Sequence, residues 1–200
     1  VRYGGFGDML QVASILPLLK EQGYRVCVNV TERGENICYS DPNIDELLIQ
    51  KTDQISIDRL TEYWEKMSPC FDKFIQLSES IEGSLLLVGD RVEKLNGKPT
   101  KVPGNPKFYL CNVNYMERLH DLADVPHTFN PKFFPTDKEK EWAKKTRKKI
   151  KSRNIILWAL SGSSVHKVYP WTDTVITKVL KYRPDACFIT VGDNICQMLE

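Results

Sequence analysis

The sequence has no long apolar run and no large excess of charge of one sign. A helix that spans a bilayer needs about 20 consecutive apolar residues, and no segment of these 200 residues comes near that length. Residues 8–20 are interrupted by polar side chains and follow a glycine-rich stretch, so they do not resemble a signal peptide. A formal net charge of +2 gives no indication of nucleic-acid binding.

Metal-binding and nucleotide-binding motifs of the common kinds are also missing. The six cysteines are scattered, without a C-x-x-C pair or a histidine at a metal-ligand spacing. They predict reduced thiols in a cytoplasmic protein and no metal site. We expect no cofactor. The dinucleotide fingerprint G-x-G-x-x-G and the P-loop ending in Gly-Lys-Ser/Thr do not occur.

The chain does contain alternating strand and helix patterns. Its first part predicts a strand ending at Tyr3, a helix over 8–22, strands over 25–30 and 45–50, a helix over 57–67 and a strand over 72–77. Pro17 should bend the first helix or cost it a hydrogen bond. Gly23 should cap the C-terminus of this helix, and Ser56 is an available N-cap for the helix over 57–67. This order predicts an α/β domain with a largely parallel sheet.

The later residues predict a less regular stretch and then a second unit. Glycines, prolines and lysines predict an exposed loop over 89–106, followed by a helix over 114–123 and an extended connection over 126–135. A charged helix over 136–151, a buried strand over 154–160, a helix over 172–182 and a strand over 186–191 complete the pattern. We therefore expect a first domain at 1–135 and the beginning of a second, incomplete domain at 136–200.

The loop that joins the first strand to the first helix, residues 4–8 (Gly-Gly-Phe-Gly-Asp), is named here the Gly-Asp loop. Glycines allow close approach to the backbone, and N–H groups at the start of a helix suit an anion, so Gly5 and Gly7 are candidate phosphate-binding residues. Asp8 has two interpretations. It can cap the helix and complement its dipole, or it can act as a general base where open α/β sheets bind ligands.

A second loop, residues 161–170 (Ser-Gly-Ser-Ser-Val-His-Lys-Val-Tyr-Pro), follows a strand of the second unit and is named the Ser-Lys loop. Hydroxyls and backbone N–H groups bind phosphate oxygens, and a lysine supplies a compact charge for a diphosphate. Ser163, Ser164 and Lys167 are therefore candidate donor-binding residues. An ordinary surface loop is also rich in serine and glycine, so both interpretations stay open at this point.

Together the two loops resemble motifs of glycosyltransferase family 9, the ADP-heptose:lipopolysaccharide heptosyltransferases. That family begins with a strand, a glycine-rich loop ending in Gly-Asp and a helix, to which residues 3–10 are similar. Its second half begins with a strand, a Pro-Gly-Ala-Ser-like turn and Lys-x-Trp-Pro, to which residues 161–164 and 167–170 are similar. The chain departs from the family at Ser14, in place of a proline, and at Tyr169, in place of a tryptophan.

The resemblance implies a GT-B architecture, in which two Rossmann-like domains face a cleft, with the acceptor mainly on the first and the nucleotide sugar on the second. It implies inverting, metal-independent transfer of a heptose-like sugar from an ADP-heptose-like donor to a lipopolysaccharide-type, other glycan or lipid-linked acceptor. Asp8 would match the general base, and Ser163, Ser164 and Lys167 the groups that bind the donor diphosphate. The family's later Asp-Ser/Thr-Gly-x-x-His segment has no counterpart here, so we expect a fragment that is inactive alone.

Two alternatives to this function are a nucleotide-sugar-binding module that lacks the chemistry and another GT-B enzyme, such as a nucleotide-sugar epimerase.

Residues 137–153 contain three acidic residues, all in the first turns of the predicted helix, and nine basic residues, most of them after the acidic ones. Such a distribution is typical of a solvated surface helix whose charges complement its dipole. The alternative is contact with an anionic membrane surface, which would place the protein peripherally at the inner membrane.

Overall fold

The structure is a computed structural model that describes residues 1–51, 54–56, 59–77, 91–95, 98–102, 114–160 and 168–192. It is a mixed α/β protein that divides into two compact units, Val1–Thr136 and Asp137–Glu200. Each unit contains a small parallel sheet, and this arrangement is consistent with a Rossmann-like α/β fold.

The first unit alternates helices with strands in its amino-terminal half. The bounds of its elements are α1 Phe6–Ala13, α2 Leu16–Glu21, β1 Cys27–Thr31, α3 Glu32–Cys38, β2 Glu46–Gln50, α4 Leu60–Met67, a 3₁₀ turn at Ser68–Cys70, β3 Arg91–Leu95, β4 Lys98–Val102 and α5 Tyr115–Ala123. β1 and β2 pair in parallel over their whole length, with Cys27 opposite Glu46. The predicted α/β class with parallel strands is therefore confirmed for this region, although α3, between β1 and β2, was not among the predicted elements.

Backbone hydrogen bonds extend this sheet beyond β1. Arg2 N donates to Asn29 O at 3.0 Å, which joins the first residues of the chain to β1. Val1 N donates to Ile75 O at 2.7 Å, and Leu77 N donates to Val1 O at 2.8 Å, which is the alternation of a parallel ladder. Numbered along the chain, the four extended segments therefore lie in the order 3-2-1-4, with residues 1–3 in the interior of the sheet.

Strand side chains point alternately to the two sides of a sheet, so each face can pack against other elements. In this unit helices cover both faces. One face packs against α1, α2 and α5, and its cluster includes Met9, Val12, Ile15, Leu16, Leu19, Val26, Val28, Val30 and Leu119. The other face packs against α4 in a smaller cluster of Tyr3, Leu60, Trp64 and Phe74. Each fully buried apolar side chain of this size contributes about 1.5–3 kcal/mol, so the first unit has a substantial core.

The helix predicted over residues 8–22 is two helices. α1 begins at Phe6, two residues earlier than predicted, and the chain turns at Ser14 and Ile15 before α2 begins. Pro17 lies in the first turn of α2, where a missing N–H removes no hydrogen bond. The bend predicted at this proline is confirmed.

The C-terminal cap predicted at Gly23 is also confirmed. Gly23 has φ +87°, in the left-handed region that glycine adopts without strain. Its N–H donates to Lys20 O at 2.9 Å, and Tyr24 N donates to Leu19 O at 3.2 Å. These two bonds form a Schellman motif that satisfies the last carbonyls of α2.

Two predictions for the middle of the chain are wrong. The N-cap position of α4 is Arg59, so Ser56 is not its cap. Within the loop predicted over 89–106, β3 and β4 form an antiparallel hairpin in which Leu95 lies opposite Lys98. The sequence between these residues is Asn-Gly, a pair that strongly favours a two-residue hairpin turn. The glycines and prolines of the surrounding stretch are typical of a loop and hide this local signal.

The second unit contains α6 Asp137–Lys149, β5 Asn154–Ala159, α7 Thr172–Tyr182 and β6 Ala186–Val191. β5 and β6 pair in parallel, and the bounds of α7 and β6 are those predicted. The predicted burial of β5 is wrong, since Leu157 is 66% exposed. The described helices of this unit leave that face of the strand uncovered.

None of the helices described in either unit combines the length and apolar character that crossing a bilayer requires.

Candidate functional site

Asp8 lies in the first turn of α1, where it closes the Gly-Asp loop on itself. Gly5 is the N-cap residue of α1, and Asp8 is the third residue after it. Gly5 N donates to Asp8 Oδ2 at 2.7 Å. Acidic side chains at this position satisfy an N–H group at the helix start and complement the helix dipole. Asp8 therefore has the capping role that its position suggests, although as the third helical residue and not as the N-cap.

The second partner of Asp8 is Arg2, a buried residue that the sequence analysis did not single out. Arg2 Nη2 donates to Asp8 Oδ1 at 2.6 Å, and the side chains of Arg2 and Asp8 are 1% and 25% exposed. Arg2 Nη1 also donates to Tyr3 O at 2.7 Å, and its guanidinium lies 5.6 Å from the ring centroid of Tyr115. The only sequence signal for this contact is a charged residue inside an otherwise apolar strand.

Gly4 explains why the loop begins with glycine. Its φ is +150°, and a Cβ placed on it would lie 2.4 Å from Asp8 Oδ2 and 2.7 Å from Asp8 Cγ. Any side chain at Gly4 would therefore displace the Asp8 carboxylate or distort the backbone. Gly7 differs, because a Cβ placed there would meet nothing within 4 Å. The loop thus requires glycine at Gly4 for packing, whereas Gly7 is open.

The phosphate-binding roles of Gly5 and Gly7 stay predictions. The Gly5 N–H is bonded to the Asp8 carboxylate, and that carboxylate places a negative charge at the start of α1. A phosphate at the same N–H would have to displace Asp8 and would be repelled by it. The arrangement favours a ligand that donates hydrogen bonds to Asp8, such as a hydroxyl group.

The Gly-Asp loop follows the carboxyl end of the central segment, residues 1–3. In the order 3-2-1-4, the chain reverses its direction of winding between segments 1 and 4, and open α/β sheets bind ligands at this switch point. A cavity of about 100 Å³ in the first unit is lined by Val1, Arg2 and Phe74 among others, but not by Asp8 or any residue of the Gly-Asp loop. We therefore assign the candidate site to the loop and not to the cavity.

The donor-binding residues predicted in the second unit, Ser163, Ser164 and Lys167, lie outside the described residues. Of the Ser-Lys loop, the structure describes residues 168–170. The loop follows β5 and leads into α7, and the ring of Tyr169 lies 6.1 Å from that of Trp158 on β5. The Ser-Lys loop thus occupies the same place in its strand-helix-strand unit as the Gly-Asp loop does in the first.

The helix predicted from the basic stretch is exposed along its length. α6 has no buried residue, and Trp142 on it is 68% exposed. Lys140 pairs with Asp137 and Lys145 with Glu141, each at 3.0 Å. Each of these ion pairs joins side chains on neighbouring turns of the helix, and such pairs add little to the stability of the fold when they are exposed.

In the part of the chain that the structure describes, no group of three or more His, Cys, Asp or Glu side chains is placed to bind a metal ion.

Comparison of the chain with known protein families, with curated proteins and with solved structures finds no match. The resemblance to the heptosyltransferases therefore depends on the two loop motifs and stays a prediction.

Proposed function

We propose that this chain belongs to a GT-B glycosyltransferase that transfers a heptose-like sugar from a nucleotide-diphosphate sugar to a glycan or lipid-linked acceptor, with inversion and without a metal. In this proposal the first unit binds the acceptor, and the second unit begins the donor-binding domain. The observation that carries the proposal is the Asp8 carboxylate, fixed after the central segment of a 3-2-1-4 sheet. The order and spacing of the two loop motifs, which resemble those of the heptosyltransferases, are the reason for proposing sugar transfer as the reaction.

Asp8 acts as the general base in this reaction. The acceptor oxygen forms a bond to the anomeric carbon while the bond from that carbon to the diphosphate breaks, and the acceptor proton passes to Asp8. Each oxygen of a carboxylate can accept two hydrogen bonds. Arg2 and Gly5 each donate to a different oxygen of Asp8, so each oxygen keeps capacity for an acceptor hydroxyl. The carboxylate is also one-quarter exposed, at 25%.

The departing diphosphate requires positive charge or N–H donors. Lys167 and the hydroxyls of Ser163 and Ser164 fill this role in the proposal. The Ser-Lys loop follows a strand and precedes a helix, as the Gly-Asp loop does. This supports the assignment, because N–H groups at the start of a helix are suited to bind an anion.

The test uses the full-length protein that contains this chain, with ADP-heptose as the probe donor. We expect Asp8→Asn to lower kcat about 100-fold or more, as loss of a general base does, while calorimetric binding of ADP-heptose is retained. Asp45→Asn is the matched control, since Asp45 also accepts from a cation, Lys20, and from a backbone N–H, that of Val26. Unchanged turnover in Asp8→Asn would remove Asp8 as the base.

The same experiment separates the alternatives. A wild-type protein that binds ADP-heptose or another nucleotide sugar but never transfers the sugar is a binding module. A protein that converts the free nucleotide sugar into an isomer, without any acceptor, is an epimerase-like enzyme. Either result contradicts the transferase proposal.

A second proposal concerns α6, whose basic carboxyl-terminal half and exposed Trp142 suit an anionic membrane surface. We expect the chain to sediment with vesicles that contain phosphatidylglycerol at low salt and to be released at about 0.5 M salt, where the Debye length is only a few ångströms. Lys148→Glu with Lys149→Glu should abolish sedimentation. Salt-independent binding, or none, contradicts this proposal and leaves α6 a solvated surface helix.

A further inference from the structure

Arg2 is placed by the sheet and not by the loop. Its backbone N–H donates to Asn29 O at 3.0 Å, and its side chain is 1% exposed. A backbone paired within the sheet has little freedom to move, and a buried side chain has few alternative conformations. The guanidinium of Arg2 is therefore a fixed point beneath the Gly-Asp loop.

Contacts with Asp8, Tyr3 and Tyr115 are among those that orient this guanidinium. Nη2 donates to Asp8 Oδ1 at 2.6 Å, Nη1 donates to Tyr3 O at 2.7 Å, and the group lies 5.6 Å from the ring centroid of Tyr115. A guanidinium is planar, and its N–H groups point in fixed directions. Once Tyr3 O and the Tyr115 ring fix the plane, the position of Asp8 Oδ1 is also fixed.

Stability alone does not account for a buried cation at this place. Burying an arginine and a carboxylate together is often no better for the fold than burying apolar side chains of the same size. An apolar residue at Arg2 would match the surrounding core, whereas arginine orients a carboxylate. The two anchors of Asp8 come from different elements, Arg2 from the sheet and Gly5 from the helix start. They fix one conformation of its side chain.

We propose that Arg2 is a positioning residue, which fixes the Asp8 carboxylate in the orientation that accepts the proton of the acceptor hydroxyl. The inference depends on the proposed function for its consequence in catalysis. Its structural part, that Arg2 fixes the carboxylate against the Gly5 N–H, can be measured without any substrate.

The first measurement is hydrogen exchange of the Gly5 amide in the 200-residue chain, observed by NMR. We expect Arg2→Met to speed this exchange about tenfold or more, since a hydrogen bond to a charged group is weakened. Arg2→Lys should give a smaller increase, because it keeps the charge but loses the planar fork. Arg25→Met is the matched control, since Arg25 pairs with Glu46 at 3.0 Å on the surface, and it should leave Gly5 exchange unchanged.

The second measurement is the steady-state kinetics of the full-length protein with ADP-heptose and acceptor. A misplaced base lowers kcat and leaves donor binding intact, and a displacement of about 1 Å costs about 100-fold. We expect this loss of kcat in Arg2→Met with an unchanged KM for the donor, and partial recovery in Arg2→Lys. A role in folding alone would change the melting temperature and the amount of folded protein without this separation of kcat from KM.

The outcomes are distinguishable. If folded Arg2→Met keeps both the Gly5 protection and kcat, the proposal is overturned. If Gly5 loses its protection but kcat is unchanged, Arg2 orients Asp8 without any consequence for transfer, and the positioning role is wrong. If the wild type transfers no sugar while Gly5 protection still depends on Arg2, the proposed function fails and only the fixing of the carboxylate is supported.

Discussion

The two units contain the same strand-helix-strand arrangement but differ in burial. In the first, helices lie on both faces of the sheet, and Met9, Trp64 and Leu119 are at most 1% exposed. In the second, α7 connects two parallel strands in the same way. Yet among the described residues of that unit no side chain is buried, and Leu157 is 66% exposed. An alternating pattern therefore predicts that strands and helices form, whereas burial requires a further layer to pack on them.

The largest expected effect tests this contrast with one pair of identical substitutions. Leu119→Ala removes a side chain that is 1% exposed and packs in the main core. We expect it to lower the free energy of unfolding by about 3 kcal/mol, through lost burial and the cavity left behind. Leu157→Ala, at 66% exposure, should change it by less than about 0.5 kcal/mol.

Urea denaturation followed by circular dichroism measures both effects. A similar cost for the two substitutions would mean that β5 is covered in solution by residues that the structure does not describe or by another molecule. The difference in burial between the two units would then be incorrect.

The second expected effect concerns the loop of the first unit. Gly4→Ala places a Cβ 2.4 Å from Asp8 Oδ2, at a φ of +150°. We expect a loss of about 2 kcal/mol in the free energy of unfolding, from backbone strain and displacement of the carboxylate. Gly7→Ala is the control, because a Cβ there meets nothing within 4 Å. It should be neutral or stabilising by less than about 1 kcal/mol, and equal losses in thermal unfolding would contradict the assigned packing.

The smallest expected effect uses a similarity between the units. Asp45 and Asp185 each stand directly before a strand, β2 and β6. A hydrogen bond from Lys20, followed by one from Val26 N–H, lowers the pKa of Asp45 below its ordinary value of 3.8. A hydrogen bond from Arg183 likewise lowers the pKa of Asp185, with a further one from Asn154.

Because the folded pKa is lowered in both cases, the carboxylate contribution to stability is present above pH 3.8 and is lost as the pH falls below that value. Asp45→Asn and Asp185→Asn should therefore lower the melting temperature slightly near neutral pH and not at about pH 2. Melting curves at several pH values measure this. A difference from the wild type that persists unchanged in acid would show that these contacts do not depend on the carboxylate charge.

Local sequence signals predicted much of the fold. The left-handed glycine at Gly23 and the proline at Pro17 act within one helical turn, and each has the effect expected of it. The structure adds a cap of the same local kind at Asn114, the N-cap residue of α5. Asn114 Oδ1 accepts from Met116 N at 2.9 Å. The composition of residues 89–106 predicts a loop, whereas the Asn-Gly pair inside that stretch favours the β3–β4 hairpin that the structure shows.

The site was predictable only in part, for a physical reason. The sequence places Asp8 at the start of a helix after glycines, which is enough to identify a carboxylate at the edge of the sheet. The contact with Arg2 depends on the burial of a strand residue and on Tyr115, which is more than 100 positions away. Local patterns contain no information on such long-range contacts. The roles of Asp8, Gly5, Gly7, Ser163, Ser164 and Lys167 in binding and catalysis remain predictions.

The segment order 3-2-1-4 also has a consequence for the time at which the Gly-Asp loop forms during synthesis. The backbone N of Val1 donates a hydrogen bond to the carbonyl O of Ile75, 74 positions later in the chain. Contacts between residues so far apart form slowly, because the entropy of closing the intervening chain must be overcome first. On the ribosome, residues 1–3 therefore lack their backbone partners at residues 75 and 77 until residue 77 has emerged. Residues 1–3 are made before the three other segments of this sheet, yet they are among the last of its residues to gain all their backbone partners.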